Sequence, residues 1–155
     1  FAIASHELVV ALILGAIDLG LALGLEPRAD GQEILFARSS VVVDSAAAGL
    51  RAPVDRVWVD VRDLDGLALD CALGRSLGFR GKALVHPDQV AVAHEAFAPS
   101  AGELQRAREI VAAYELAEAE GRGVVALDGE MIDLPVVERA RQVLALAERS
   151  PVDAS

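Results

Sequence analysis

The stretch from Gly78 to Gln89, GFRGKALVHPDQ, constrains the fold of this chain more than any other. Its first glycine is suited to end a helix, and the apolar run that follows has the length of a short strand. Pro87 then stops the strand, because proline has no amide hydrogen and cannot extend a sheet ladder. Asp88 can cap a new helix that starts at Gln89. A strand that leads directly into a helix, with polar residues at its carboxyl end, is typical of ligand sites in α/β proteins.

Two further segments of strand length come earlier in the chain. Residues 9–14, VVALIL, form a continuous apolar run, which is typical of strands covered on both faces of a parallel sheet. Residues 54–61 alternate valines with Arg56, Trp58 and Asp60. Between and after these segments the sequence predicts a glycine-bearing loop over residues 20–31 and helices over residues 33–48, 67–77 and 89–97.

The order of these elements predicts an α/β fold with parallel strands. Strands joined by helices are connected by right-handed crossovers, which make neighbouring strands parallel. Parallel strands bring their carboxyl ends to one edge, where this chain places Asp18, the acidic group 60–65 and His86. Taken alone, His86 is more often a structural histidine than a ligand contact, and its position at this edge favours the second interpretation.

The pattern changes after Pro99. Ser100 and Glu103 form a capping box, which predicts a helix to about residue 120. Residues 124–132 contain an Asp-Gly pair between two short apolar runs and are predicted to form a hairpin. A last helix is predicted over residues 136–148, with Pro135 near its first turn.

Composition excludes several classes of function. The 24 acidic residues outnumber the 14 basic ones and give a net charge of −10, which argues against a nucleic-acid surface. Cys71 is the single cysteine, so no internal disulfide can form, and we expect a reducing compartment such as the cytoplasm. The stretch from Leu8 to Leu25 is apolar except for Asp18. A central aspartate costs about 2.5–3.5 kcal/mol in a bilayer, so we expect no membrane span.

Two aspartates could carry chemistry. Asp18 follows the first predicted strand and could hold a hard cation such as Mg²⁺, but it could equally be a loop aspartate that caps backbone amides. Asp133 lies two residues before Pro135 and could cap the last helix. Its alternative role is a general acid or base carried by a mobile flap, the hairpin 124–132. The residues themselves leave both alternatives open, and neither common glycine-rich phosphate-loop pattern is present.

Five segments in series resemble one family. They are LGAIDLGLALG (14–24), ARSSVVVDSAAAGL (37–50), DRVWVDVRDLDGL (55–67), LGFRGKALVHPDQ (77–89) and GRGVVALDGEMIDLPVVERARQVL (121–144). In this order they resemble the HpcH/HpaI aldolase/citrate lyase family. Within it they are similar to the citrate lyase β-subunit-like group, which includes malyl-CoA and citramalyl-CoA lyases. The resemblance runs from about Val9 to Glu148.

The resemblance implies a fold, a chemistry and specific site residues. It implies that residues 1–98 are the last three βα units of a (β/α)₈ TIM barrel, and that residues 99–155 are a lid of helix, hairpin and helix. The implied reaction is Mg²⁺-dependent cleavage or formation of a carbon–carbon bond next to a CoA thioester, with a 2-keto or 2-hydroxy acid as the other component. Asp18 matches a metal ligand, while Val85 and His86 match part of the acyl-CoA pocket. Asp133 matches a catalytic acid/base.

The family also implies an assembly and shows what this chain lacks. The lid is expected to reach into the site of a neighbouring subunit in a homo-oligomer, a trimer or a hexamer. A whole barrel needs about 250 residues, so the early strands, a substrate-binding arginine and a second metal ligand are missing. Ile17 also replaces an acidic residue often found before the metal aspartate. The alternatives are a non-catalytic half-barrel that serves oligomerisation or interaction, and a related thioesterase or malate-synthase-like activity.

Overall fold

The computed structural model describes residues 1–28 and 30–148, and the chain divides into two compact units between Phe97 and Ala98. Over the described residues it is a mixed structure, mainly helical, with one small regular sheet. The helices are α1 (Ala16–Leu23), a 3₁₀ turn (Gln32–Ile34), α2 (Leu35–Ala47), α3 (Leu64–Leu77), α4 (Gln89–Phe97), α5 (Ala101–Ala119) and α6 (Leu134–Glu148). The strands are β1 (Val125–Leu127) and β2 (Glu130–Ile132).

Three extended segments lie side by side in the first unit. We call residues 9–14, 54–59 and 82–85 the first, second and third segments. Single parallel bridges join Ile13 to Val54 and Asp55 to Lys82, so the second segment lies between the other two. The pairing places the carboxyl ends of all three segments at the same edge, as the sequence predicts.

The parallel pairing is shorter than the sequence predicts, and a side chain explains why. The prediction of a regular ladder over residues 54–61 is wrong, because backbone pairing of the second segment stops at Asp55. Beyond that point the fully buried Gln89 donates from Nε2 to the carbonyl of Trp58 at 2.9 Å. The Oε1 atom of Gln89 accepts from the amide of Val85 at 3.0 Å. An amide side chain therefore joins the ends of the second and third segments where backbone hydrogen bonds were expected.

The predicted loop over residues 20–31 is wrong in its first part, where α1 forms. Its alanines and leucines are strong helix formers, and one interior glycine costs only about 1 kcal/mol. Gly24 ends the helix with φ +66°, a conformation that favours glycine. No helix in the described ranges 1–28 and 30–148 combines the length and apolar character needed to cross a bilayer.

The other predicted helices of this unit form close to their predicted bounds. α3 begins three residues earlier than predicted because Asp63 caps it, accepting from the amide of Gly66 at 2.8 Å. Gly78 ends α3 with φ +111°. The apolar core of the unit is formed by Leu67 and Cys71 of α3 with residues of α4 packed against them.

A group of charged side chains lies beside this core, and all of them are buried except the partly exposed Arg56. We call Arg38, Asp55, Arg56, Asp70 and Lys82 the buried charge cluster. Arg38 donates from Nε to Asp55 at 3.1 Å and from Nη1 to Asp70 at 3.0 Å. Arg56 donates from Nη2 to Asp70 at 2.8 Å, and Lys82 also pairs with Asp70. Since these residues come from α2, α3 and the second and third segments, the cluster joins the helices to the extended segments.

The second unit forms as the sequence predicts. Ser100 accepts from the amide of Glu103 at 3.2 Å, and Glu103 accepts from the amide of Ser100 at 2.7 Å, which confirms the capping box. Asp128 and Gly129 have φ values of +52° and +83°, as an Asp-Gly hairpin turn requires. α5, the hairpin and α6 share a core built on Tyr114, Ile132 and Val137.

Candidate active site

Asp18 lies in the first turn of α1, directly after the first segment. Its side chain is exposed, and within the described part of the chain no hydrogen-bond donor or cation contacts its carboxylate. Gly15 precedes the helix without a side-chain cap. The carboxylate of Asp18 is therefore accessible to a ligand.

The residues present fit part of a magnesium site. A carboxylate oxygen is a preferred ligand of Mg²⁺, which usually binds one or two carboxylates together with water and substrate oxygens. Over residues 1–28 and 30–148, however, no three His, Cys, Asp or Glu side chains are grouped so that they could hold a metal. Asp18 can therefore be one carboxylate ligand of such a site.

Val85 and His86 lie at the end of the third segment, at the same edge as Asp18. The side chain of Val85 is half exposed, and its amide is held by Gln89 at 3.0 Å. The Nδ1 atom of His86 accepts from the amide of Asp88 at 3.2 Å. In the neutral imidazole this hydrogen bond places the ring proton on Nε2, which is therefore the donor available to a ligand.

Gln89 is a site residue that reasoning from the sequence missed. The sequence predicts it only as the first residue of α4, yet its two hydrogen bonds fix the backbone of Val85 and the carbonyl of Trp58. The sequence signal for this role is a polar amide side chain at the first residue of the helix that follows the end of the third segment. Gln89 supports the position of the residues at this edge and has no exposed surface of its own.

A pocket of about 650 Å³ lies between α1 and the second segment. Its charged lining residues include Arg28, Arg56 and Glu33, and the rest of the lining is mainly apolar. Arg28 donates to Asp30 at 2.9 and 2.8 Å, and this contact lowers the pKa of Asp30 to about 2. The Oε2 atom of Glu33 is buried and finds no hydrogen-bond partner among the described residues. No pattern in the sequence predicts this pocket.

Asp133 lies in the second unit, between β2 and α6. Its Oδ1 atom accepts from the amide of Val136 at 3.4 Å, so it caps α6 as one of the two interpretations of the sequence proposed. This distance is at the long limit for a hydrogen bond. The side chain is half buried, which leaves part of the carboxylate accessible. The cap is thus present, and the acid/base role stays a prediction.

Comparison with known proteins decides the family. Residues 1–87, more than half of the chain, match the model of HpcH/HpaI aldolase/citrate lyase. The chain belongs to this family. Over 148 residues it is 40% identical to citrate lyase subunit beta of Escherichia coli K12, covering 96% of this chain and 49% of that protein.

Two further relatives are similar to this chain over most of its length. It is 38% identical to mitochondrial citramalyl-CoA lyase of Mus musculus, over 88% of this chain and 40% of that protein. It is 37% identical to (3S)-malyl-CoA thioesterase of Cereibacter sphaeroides, over 94% of this chain and 51% of that protein. The chain spans about half the length, or less, of these relatives.

A solved structure has the same fold over most of this chain. The crystal structure of CitE from Mycobacterium tuberculosis in complex with magnesium, acetoacetate and coenzyme A matches with a TM-score of 0.81 and 32% identity. The match covers 94% of this chain and 55% of that one. The family model, the relatives and this solved structure therefore confirm the resemblance to the citrate lyase β-subunit-like group.

Proposed function

We propose that the protein containing this chain is a Mg²⁺-dependent lyase that cleaves or forms a carbon–carbon bond in CoA thioesters of a 2-hydroxy acid. The observation that carries the proposal is the common placement of Asp18 and His86 at one edge of three parallel segments, in a chain 38% identical to a citramalyl-CoA lyase. A carboxylate for a cation and a donor for a carbonyl oxygen are the groups that this chemistry requires at such an edge.

Each site residue has a proposed role that its surroundings support. Asp18 supplies one oxygen ligand to Mg²⁺, and the metal, when bound, acts as a Lewis acid toward the oxygens of the keto or hydroxy acid. His86 offers its Nε2 hydrogen to a carbonyl oxygen, while Nδ1 stays bound to the amide of Asp88. Val85 provides half-exposed apolar surface next to it.

Asp133 is proposed to take or return the proton at the carbon that becomes the enolate of the acyl thioester. A carboxylate can act in this way when it lies within hydrogen-bond reach of that carbon's proton. Support comes from its half-buried position and from a cap contact of 3.4 Å that leaves one oxygen unused by the cap. We propose that it acts in a neighbouring subunit of a homo-oligomer, a trimer or a hexamer.

The chain spans about half of its relatives, so the rest of the site is proposed to come from residues outside it. These include a second metal ligand and the other strands of a (β/α)₈ barrel, and we propose a cytoplasmic location for the whole protein. Thioester hydrolysis is a second candidate reaction, because the chain is also 37% identical to a (3S)-malyl-CoA thioesterase. A non-catalytic interaction module is a third, supported by the exposed Val59 and Val85 beside the same edge.

The test is product analysis with malyl-CoA and citramalyl-CoA in the presence of Mg²⁺, using the whole protein. A lyase releases an acyl-CoA and a 2-keto acid, whereas a thioesterase releases free CoA thiol and the intact hydroxy acid. An interaction module releases neither product, and that result would refute both enzymatic candidates.

Asp18→Asn tests the metal role against a matched control. Lewis-acid stabilisation amounts to several kcal/mol and each 1.36 kcal/mol is tenfold in rate, so we expect a loss of about a hundredfold or more. Asp65→Asn is the control, since Asp65 is also an exposed acid in the first turn of a helix, α3. Equal effects of the two variants would assign Asp18 to helix stabilisation alone.

A further inference from the structure

Arg106 of α5 holds both sides of the hairpin turn. Its Nη1 atom donates to Asp128 at 2.6 Å, and its Nη2 atom donates to Glu130 at 2.9 Å. These two carboxylates flank Gly129, so one guanidinium spans the turn. The hydrogen bonds to Asp128 and Glu130 raise the pKa of Arg106, which stays charged at any pH at which the protein is folded.

The hairpin needs such support. β1 and β2 have three residues each, and an isolated two-stranded hairpin is marginal in water. At its far end the buried Ile132 packs with Tyr114 of α5, and at its tip Arg106 is its ionic contact with the same helix. The hairpin is thus attached to α5 at both ends, and its tilt on that helix is fixed.

Asp133 follows Ile132 directly, so the tilt of the hairpin sets the position of the Asp133 carboxylate. We propose that Arg106 is a positioning residue for the reaction: by clamping Asp128 and Glu130 to α5, it fixes the place from which Asp133 moves a proton. This inference rests on the role proposed above for Asp133. Arg106 itself does not take part in proton transfer.

The expected effect is on turnover more than on stability. Exposed ion pairs contribute little to global stability, so the second unit should stay folded without Arg106. A catalytic group displaced by about 1 Å can lose about a hundredfold in rate. Because Arg106 is not proposed to touch substrate, the Michaelis constant should change little.

The experiment compares Arg106→Met, Arg106→Lys and a matched control, Arg141→Met, in the whole protein. Arg141 is an exposed arginine that pairs with Glu138 of its own helix, α6, at 2.8 Å. For cleavage of the CoA ester we expect Arg106→Met to lower kcat by about 10- to 100-fold with KM within about threefold. Arg106→Lys should restore part of kcat, since lysine keeps the charge without the bidentate geometry. Arg141→Met should match the wild type.

When Arg106→Met folds, two results would overturn the inference while leaving the proposed function intact. One is a kcat for Arg106→Met equal to that of Arg141→Met, in a protein that loses activity on Asp133→Asn. The other is a rise in KM for Arg106→Met with an unchanged kcat. If Arg106→Met fails to fold by circular dichroism, the double variant Asp128→Asn, Glu130→Gln replaces it, and an unchanged kcat there overturns the inference. Full activity of Asp133→Asn, or an inactive wild-type protein, overturns the proposed role of Asp133 and the inference with it.

Discussion

Replacing Gly74 with alanine is expected to destabilise the first unit, although alanine is ordinarily the better helix former. Gly74 lies in α3 against the buried charge cluster. A Cβ atom at this position would be 2.6 Å from Oδ2 of Asp55 and 3.2 Å from Nη2 of Arg38. Both of these side chains are fully buried and hydrogen-bonded to each other, so neither can move into solvent.

The magnitude follows from opposing terms. Alanine in a helix interior gains about 1 kcal/mol over glycine. Overpacking a filled interior costs about 1–3 kcal/mol, and breaking a buried ion pair outright costs about 3–5 kcal/mol. Since the methyl group would displace the Asp55 carboxylate without removing it, we expect a net loss of about 1–3 kcal/mol in the free energy of unfolding.

Urea unfolding followed by the fluorescence of Trp58 measures this loss. Trp58 is the single tryptophan of the chain and packs against the core of the same unit. Gly20→Ala is the matched control, because Gly20 lies inside α1 with no atom within 4 Å of the added Cβ. The control should be as stable as the wild type or more so. A Gly74→Ala protein with the stability of Gly20→Ala would show that the cluster yields easily and would refute the reasoning.

Three further predictions concern single groups. Burial alone would raise the pKa of Asp70, but hydrogen bonds from Arg56 and Lys82 lower it overall. The charged carboxylate therefore stabilises the fold above the ordinary pKa of about 3.9, and this contribution is lost as pH falls through the lower folded value. Urea titrations should show that Asp70→Asn lowers the free energy of unfolding by about 3–5 kcal/mol at neutral pH. Below about pH 4 the free energy of unfolding of the variant should depend less on pH than that of the wild type, and equal slopes of the two proteins would contradict this. Burial raises the pKa of the Cys71 thiol, so a thiol reagent at pH 8 should label it only in denaturant, and labelling of the native protein would contradict its burial. Gly129→Ala should destabilise the hairpin by about 1–2 kcal/mol, because Gly129 has φ +83°, and thermal unfolding of the variant that equals the wild type would argue against a rigid turn.

Local signals explain which elements could be predicted from the sequence. The capping box at Ser100 and the Asp-Gly turn are decided by neighbouring residues, and both formed as predicted. The glycines that follow Asp18 predict a loop, but α1 forms there because the alanines and leucines between the glycines decide the backbone conformation. Where glycines and strong helix formers are neighbours, the helix propensity summed over the whole segment decides whether a helix forms.

Long-range features could not be predicted in the same way. The buried charge cluster joins residues from Arg38 to Lys82, and charged residues at such spacings are ordinarily interpreted as solvent-exposed. The limit of the parallel pairing depends on Gln89, whose side chain turns back to bind two segments. For the candidate site, the sequence placed Asp18 and His86 at one edge of the sheet. Their chemical roles came from the family resemblance and stay predictions.

The bridging side chain of Gln89 also determines how that edge can deform. Two hydrogen bonds of about 0.5–1.5 kcal/mol each join the ends of the second and third segments, where a regular ladder would supply a longer row. Because both hydrogen bonds pass through one side chain, breaking either of them disconnects the ends of the second and third segments, while the backbone pairing of Asp55 with Lys82 is separate from this bridge. The edge that carries His86 is therefore joined less firmly than a regular ladder of backbone hydrogen bonds would join it.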